Sequence, residues 1–278
     1  MPLNIKLATD SAGTEPSPVI WDRLSMTDVH HRNGRYFWED FTAFALTEAV
    51  ASNAGTYVGD KYWHSYEDTG DAITQLATDA NGVVAVSLAA TNNNESWMQA
   101  GSATSVMFVP KTKANGGTSI FFEARVQMST LVGNMFVGLA EEAAAAANFI
   151  ADSAGTPADK DYIGFLVDED APTIVRFVYG KASGTQKTIA STAHTFAAAD
   201  EFVKLGFVVD MDEYNLNQRV KGYANGVDIG SYLTNTLYEN TTDFPTGEEM
   251  HVIFGGKNNN AAKVVRADWI RAFQLRES

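Results

Sequence analysis

The feature that most constrains this chain is a period-two alternation of apolar and polar residues, repeated in short runs that turn residues separate. Over residues 119–128, one parity holds Ile120, Phe122, Ala124, Val126 and Met128, while the other holds Ser119, Phe121, Glu123, Arg125 and Gln127. Successive side chains of a strand point to opposite faces, so this run predicts a strand with one buried and one mostly wet face. Residues 201–211 repeat the pattern with Val203, Leu205, Phe207, Val209 and Met211. Residues 263–275 place Val265, Ala267, Trp269, Phe273 and Leu275 on one face, and Arg271 breaks the sequence of apolar side chains. Weaker runs cover 36–46, 82–90, 133–139, 162–167, 173–179, 218–224 and 250–254.

Turn chemistry agrees with short strands. Asn-Gly stands at 33–34, 81–82, 115–116 and 225–226, and both residues tolerate the positive φ that tight hairpins require. The stretch 220–229 is the clearest hairpin. Helical propensity is confined to 141–150, where Glu141 and Glu142 precede the alanine run 143–147. That predicts one short helix as a connection, not a layer. Many short strands with little helix predict an all-β fold, an antiparallel β-sandwich or jelly roll. Residues 36–278 show no composition break and read as one domain. Residues 1–35 carry Pro2, Pro16 and Pro18 with little periodicity, and read as an extended N-terminal arm. The arm's apolar cluster of Val19, Ile20, Trp21 and Leu24 either grips a neighbouring subunit or packs back onto its own sandwich.

Composition limits the partners. The chain has 278 residues, with 34 acidic against 20 basic side chains and a net charge of -14. Such a surface repels phosphate backbones and anionic headgroups, so neither nucleic acid nor a membrane is expected as a partner. With no cysteine, a disulfide framework, a zinc-thiolate site and a thiol nucleophile are excluded. The N-terminus lacks the basic-then-apolar layout of a secretory signal, and no run is long and apolar enough for a membrane helix.

The segment Phe122-Glu123-Ala124-Arg125-Val126 resembles the strand that opens the core of concanavalin-like jelly rolls, the laminarinase-type glycoside hydrolases among them. The ending Ala267-Asp268-Trp269-Ile270-Arg271-Ala272-Phe273-Gln274 is similar to the closing strand of that superfamily. The opening Tyr36-Phe37-Trp38-Glu39-Asp40-Phe41 resembles the start of concanavalin-like structural proteins of tailed bacteriophages. The resemblance implies a concanavalin-like jelly roll and a non-enzymatic virion protein that decorates or cements the outer capsid surface after synthesis in the host cytoplasm. Its partners would be the major capsid protein or other virion proteins, in a homo-oligomer without a cofactor. The alternative on the same fold is a carbohydrate-binding or receptor-binding tail module that recognises a surface glycan.

Site candidates are few. Glycoside hydrolysis needs two carboxylates flanking the scissile bond, and the laminarinase-type family sets them on one strand as E-x-D-x-x-E. No Glu-x-Asp occurs in this chain. The nearest substitute, Asp168-Glu169-Asp170, runs into Ala171-Pro172 and reads as a wet turn. Oxygen ligands cluster at Asp210, Asp212, Glu213, Asn215 and Asn217, which suits a hard cation, but the glycine and closing glutamate of a calcium loop are missing. Tyr62, Trp63 and Trp97 could stack on sugar rings if exposed, or fill the core if buried. No G-x-S-x-G elbow, Walker loop or G-x-G-x-x-G fingerprint is present.

Overall fold

The computed structural model describes residues 14–22, 24, 34–41, 56–58, 63–76, 82–101, 107–152, 155–211 and 217–275. In chain order the strands are β1 (Gly34–Glu39), β2 (Thr56–Val58), β3 (Trp63–Glu67), β4 (Ala72–Leu76), β5 (Val83–Leu88) and β6 (Glu95–Ala100). Then come β7 (Ile120–Met128), β8 (Asn134–Glu141), β9 (Tyr162–Val167), β10 (Ile174–Gly180) and β11 (Lys187–Thr195). The last are β12 (Phe202–Val209), β13 (Val220–Ala224), β14 (Val227–Leu233), β15 (Met250–Lys257) and β16 (Lys263–Leu275). One-turn helices α1 (Pro18–Trp21) and α2 (Asn235–Tyr238) lie before β1 and after β14.

The strands form two antiparallel sheets of eight. Sheet A runs β14-β13-β12-β7-β16-β5-β4, and β1 also pairs with β16. The long β16 is shared along its length, with Lys263–Ala267 paired to β5 and Ile270–Leu275 paired to β1. Sheet B runs β11-β10-β9-β8-β15-β6-β3-β2. The inner faces meet in one core, and four phenylalanines tie the sheets together. Phe122 and Phe207 of sheet A stack at 5.0 Å, Phe165 and Phe177 of sheet B stack at 4.7 Å, and Phe177 meets Phe207 at 5.6 Å. The hairpin at 225–226 is present between β13 and β14, with φ of 49° at Asn225 and 73° at Gly226. Both central residues are left-handed, as the tight hairpin turn demands.

Three expectations need correction. The alanine run 143–147 is not helical. It forms irregular turns after β8, with Ala143 at φ 56° and Asn148 at φ 60°. Tertiary packing overrides propensity there, because Ala144 and Ala145 are buried against sheet B. Secondly, the outer face of β7 is largely dry: Phe121, Glu123 and Gln127 are all buried. Thirdly, β16 does not keep one parity inside. A bulge between Ala267 and Trp269 adds a residue, so the inward set changes from Val265 and Ala267 to Ile270 and Ala272. Trp269 and Phe273, expected on the core face, therefore lie on the outer side.

The inter-sheet phenylalanine stack sets a stability prediction. Phe207→Ala should cost about 3–5 kcal/mol, whereas Phe207→Leu should cost under about 1.5 kcal/mol. Equilibrium urea unfolding measures both, and a Phe207→Ala cost within the roughly ±0.5 kcal/mol of an ordinary surface substitution would show that Phe207 does not help to hold the sheets.

Candidate functional site

Each sheet carries large apolar side chains on its outer face, and each outer face is covered by a segment of the same chain. On sheet B the outward residues include Trp97, Phe136, Tyr162, Leu166, Val178 and Ile253. The segment after β8 lies over them, with Phe149 packed edge-on to Trp97 at 4.8 Å and Phe136 at 5.3 Å. Polar anchors hold it down. The Ala145 amide donates to Gln99 Oε1 at 3.1 Å, the Asn148 amide donates to Glu95 Oε1, and Lys257 Nζ donates to the Ile150 carbonyl at 2.7 Å and to Asp152.

Glu95 is the centre of this anchor. It is 2% exposed and also accepts from Trp97 Nε1 at 2.9 Å. Burial pushes its carboxyl up to about 7, against the pull of Trp97, Lys257 and the Asn148 and Ile150 amides. A carboxyl poised near neutrality has the acidity of a general acid. This one is buried with both oxygens engaged, so no substrate oxygen can reach it.

On sheet A the cover is the N-terminal strap, residues 14–24. Pro18 opens α1 at a position where a proline ring is already set for a helix. Ile20, Trp21 and Leu24 pack on Phe121, Val208, Tyr223 and Phe273. Ile20 seats over Gly206, where a Cβ would stand 2.6 Å from its Cδ1. Glu123 receives the strap: its Oε2 accepts from the Ser17 amide at 2.9 Å and from Trp21 Nε1 at 2.7 Å. Burial raises the Glu123 pKa, and its Oε1 has no partner. Lys204 Nζ donates to the Glu15 carbonyl at 3.0 Å, and Trp269 Nε1 donates to the Thr14 carbonyl at 2.6 Å.

An open cavity of about 200 Å³ lies where the strap meets β1 and β16, lined by Thr14, Glu15, Pro16, Trp38, Asp40, Asp268, Trp269 and Arg271. Register explains its central feature. Trp38 and Arg271 are direct partners across β1 and β16, and the guanidinium carbon sits 3.4 Å from the Trp38 ring centroid. Trp38 remains 43% exposed, whereas Arg271 is 4% exposed. Asp268 is held by Arg125 at 2.5 Å.

The structure rearranges the sequence candidates. Ile20, Trp21 and Leu24 are buried on the chain's own sheet A, and only Val19 of that cluster stays exposed. The second of the two arm readings thus describes residues 14–22 and 24; most of the remaining arm lies outside the described residues. Trp63 and Trp97 are 1% and 0% exposed, so they fill the interior and cannot stack on a sugar. Tyr62 lies outside the described residues. Asp212, Glu213 and Asn215 do too, while the Asp210 carbonyl accepts from Arg219. No metal-binding group of three or more His, Asp or Glu occurs among the described residues. Asp168-Glu169-Asp170 forms the turn after β9, with Asp168 paired to Arg176 at 3.0 Å. The outward positions of β9 are Tyr162, Gly164 and Leu166, without a carboxylate. The cavity was missed, although Arg271 interrupting an apolar run marked it.

No protein-family model matches the chain, and no curated protein matches it. Solved structures do. A protein of unknown function from Shewanella oneidensis MR-1 superposes with a TM-score of 0.52 and 13% identity, over 88% of each chain. Peanut lectin gives 0.52 and 11%, over 88% of this chain and 99% of its own. The endo-β-1,3-glucanase of Pyrococcus furiosus gives 0.51 and 12%, over 87% and 94%. The fold is the concanavalin A-like sandwich shared by lectins and glucanases.

The Glu95 anchor predicts a pH dependence. Its folded pKa, about 7, lies above the ordinary 4.5, so between these values the folded chain holds a proton that the unfolded chain has lost. Stability must then fall as pH rises from about 4.5 to about 7 and level off above. Asp71 and Asp161, each pushed up to about 6 by burial, act in the same direction. Glu95→Gln should remove of order 3 kcal/mol of the fall seen between pH 5 and 8 in urea titrations. An unchanged fall would show that Glu95 is not the buried acid described.

Proposed function

We propose that the chain is a non-catalytic structural protein, a component of a tailed-bacteriophage virion that sits on the outer capsid surface. The single observation that carries the non-catalytic part is the double cover. A segment of the chain itself packs on the outer face of each sheet, and Glu95, whose carboxyl is pushed up to about 7, is buried with both oxygens engaged. The virion part is supported by the likeness of residues 36–41 to phage structural proteins and by the charge of -14, which keeps the chain off packaged DNA. Its partners are then the major capsid protein or further copies of itself. The strap's buried residues do not serve that contact; Val19, Val227 and Leu237 are exposed apolar side chains that remain available.

A second reading is a carbohydrate- or receptor-binding module. The cavity beside exposed Trp38 favours it, and a lectin and a β-1,3-glucanase share the fold.

Incubation with laminarin or lichenan should release no reducing sugar above blank; release abolished by Glu95→Gln would overturn the non-catalytic reading. Density for this sandwich on the outer capsid in a map of the intact particle is the expected result for the virion role. A particle lacking the protein would contradict it.

A further inference from the structure

Lys263 and Asn134 meet at one end of the sandwich and join its two sheets. Lys263 opens β16 of sheet A, and Asn134 opens β8 of sheet B. Lys263 shares the inward parity of Val265 and Ala267 and is 2% exposed. Its Nζ donates to the Asn134 backbone carbonyl, 129 residues away in sequence, and it forms no ion pair among the described residues. Gly256 makes the approach possible, since a Cβ there would stand 3.2 Å from Lys263 Cε and 2.7 Å from the Asn134 carbonyl oxygen. A buried ammonium without a carboxylate is costly, and burial pushes the Lys263 pKa well below the usual lysine range. The amine is thus held without its extra proton, which makes it a nucleophile. Lys257, the cross-strand partner of Asn134, differs in being paired with Asp152.

The Asn134 side chain is 1% exposed and is held by Glu169, in the turn after β9. The Glu169 amide donates to Asn134 Oδ1 at 2.9 Å, and the Glu169 carboxyl also hydrogen-bonds the Asn134 side chain. The first bond polarises Asn134 Cγ and is aimed where an oxyanion would develop. The second sets a carboxyl beside the nitrogen that would leave. Burial, with Asp170 and Asp168 close by, raises the Glu169 pKa and favours the protonated form that a general acid needs. We propose that Lys263 and Asn134 join in an intramolecular isopeptide bond, made by the chain itself with Glu169 as the general acid and base. Lys263 Nζ attacks Asn134 Cγ. The Glu169 carboxyl gives its proton to Nδ2 and takes one from Nζ, and the Cγ–Nδ2 bond breaks to release ammonia. One amide replaces another, so no oxidant or co-reactant is consumed. The product staples sheet A to sheet B in a chain that has no cysteine for a disulfide, and it stands apart from either functional reading.

Mass spectrometry of the denatured full chain tests it. The intact mass should fall short of the sequence mass by one ammonia, and trypsin should yield a branched peptide that joins 126–160 to 258–266 through Lys263. Lys263→Met should restore the full mass, and Glu169→Gln should do the same, with circular dichroism showing a folded sandwich in each. Glu169 is half-buried in a turn, so its variant keeps the test decisive if Lys263→Met fails to fold. A wild-type chain at its full sequence mass would overturn the proposal. An ammonia deficit that survives in Lys263→Met would overturn it too. So would a deficit that maps to a linear peptide at one of the Asn-Gly pairs, where succinimide formation also expels ammonia.

Discussion

The rest of the structure depends on a solvation constraint: each sheet is apolar on its outer side as well as its inner one. Phe121, Val208, Tyr223 and Phe273 face outward from sheet A, and Trp97, Phe136, Tyr162, Leu166 and Ile253 face outward from sheet B. Burying one such side chain is worth roughly 1.5–3 kcal/mol, and a bare patch of them would drive association. The two covers meet this need with the same device. A buried glutamate accepts backbone amide hydrogen bonds from the covering segment together with one indole N–H: Glu123 with Ser17 and Trp21, Glu95 with Asn148, Ile150 and Trp97. Carboxylates out of water are expensive, and Lys204 and Lys257 offset part of that cost at the respective sites.

The covers also decide what chemistry remains. Where Phe149 and Trp21 pack on the sheets, the outer faces are taken up by the chain's own side chains. What stays open is the seam where the strap crosses β1 and β16, and there the strap itself supplies Thr14, Glu15 and Pro16 as a wall. The cavity therefore exists only when the strap is docked. Anything bound in it would stabilise the docked strap by mass action.

Much of the inner architecture was legible in the sequence. The inward parities of β7 and β12 were readable because those strands are regular, and the hairpin at 225–226 because its turn needs left-handed residues. Short or edge strands such as β3, β4, β6 and β11 were harder: residues 95–100 pack a glutamate, a serine and a glutamine among apolar side chains, and no alternation survives. The bulge in β16 defeated the parity reading outright, since one inserted residue exchanges the two faces. Its trace was Arg271, which looked like a flaw in an apolar face and instead stacks on Trp38. The covers were opaque for a different reason. An alanine run and a proline-rich arm reveal propensity, but their conformations are set by Glu95, Gln99 and Glu123, distant in sequence.

The central claim is that both outer faces are sealed by the chain itself. Hydrogen exchange at the indole N–H groups tests it directly, because Trp21 and Trp97 each donate to a buried glutamate beneath a cover. Both indoles should exchange only through large-scale opening of the fold, far more slowly than a free indole. Exchange of Trp21 or Trp97 at the free-indole rate, in protein that remains folded, would mean that the corresponding face is open.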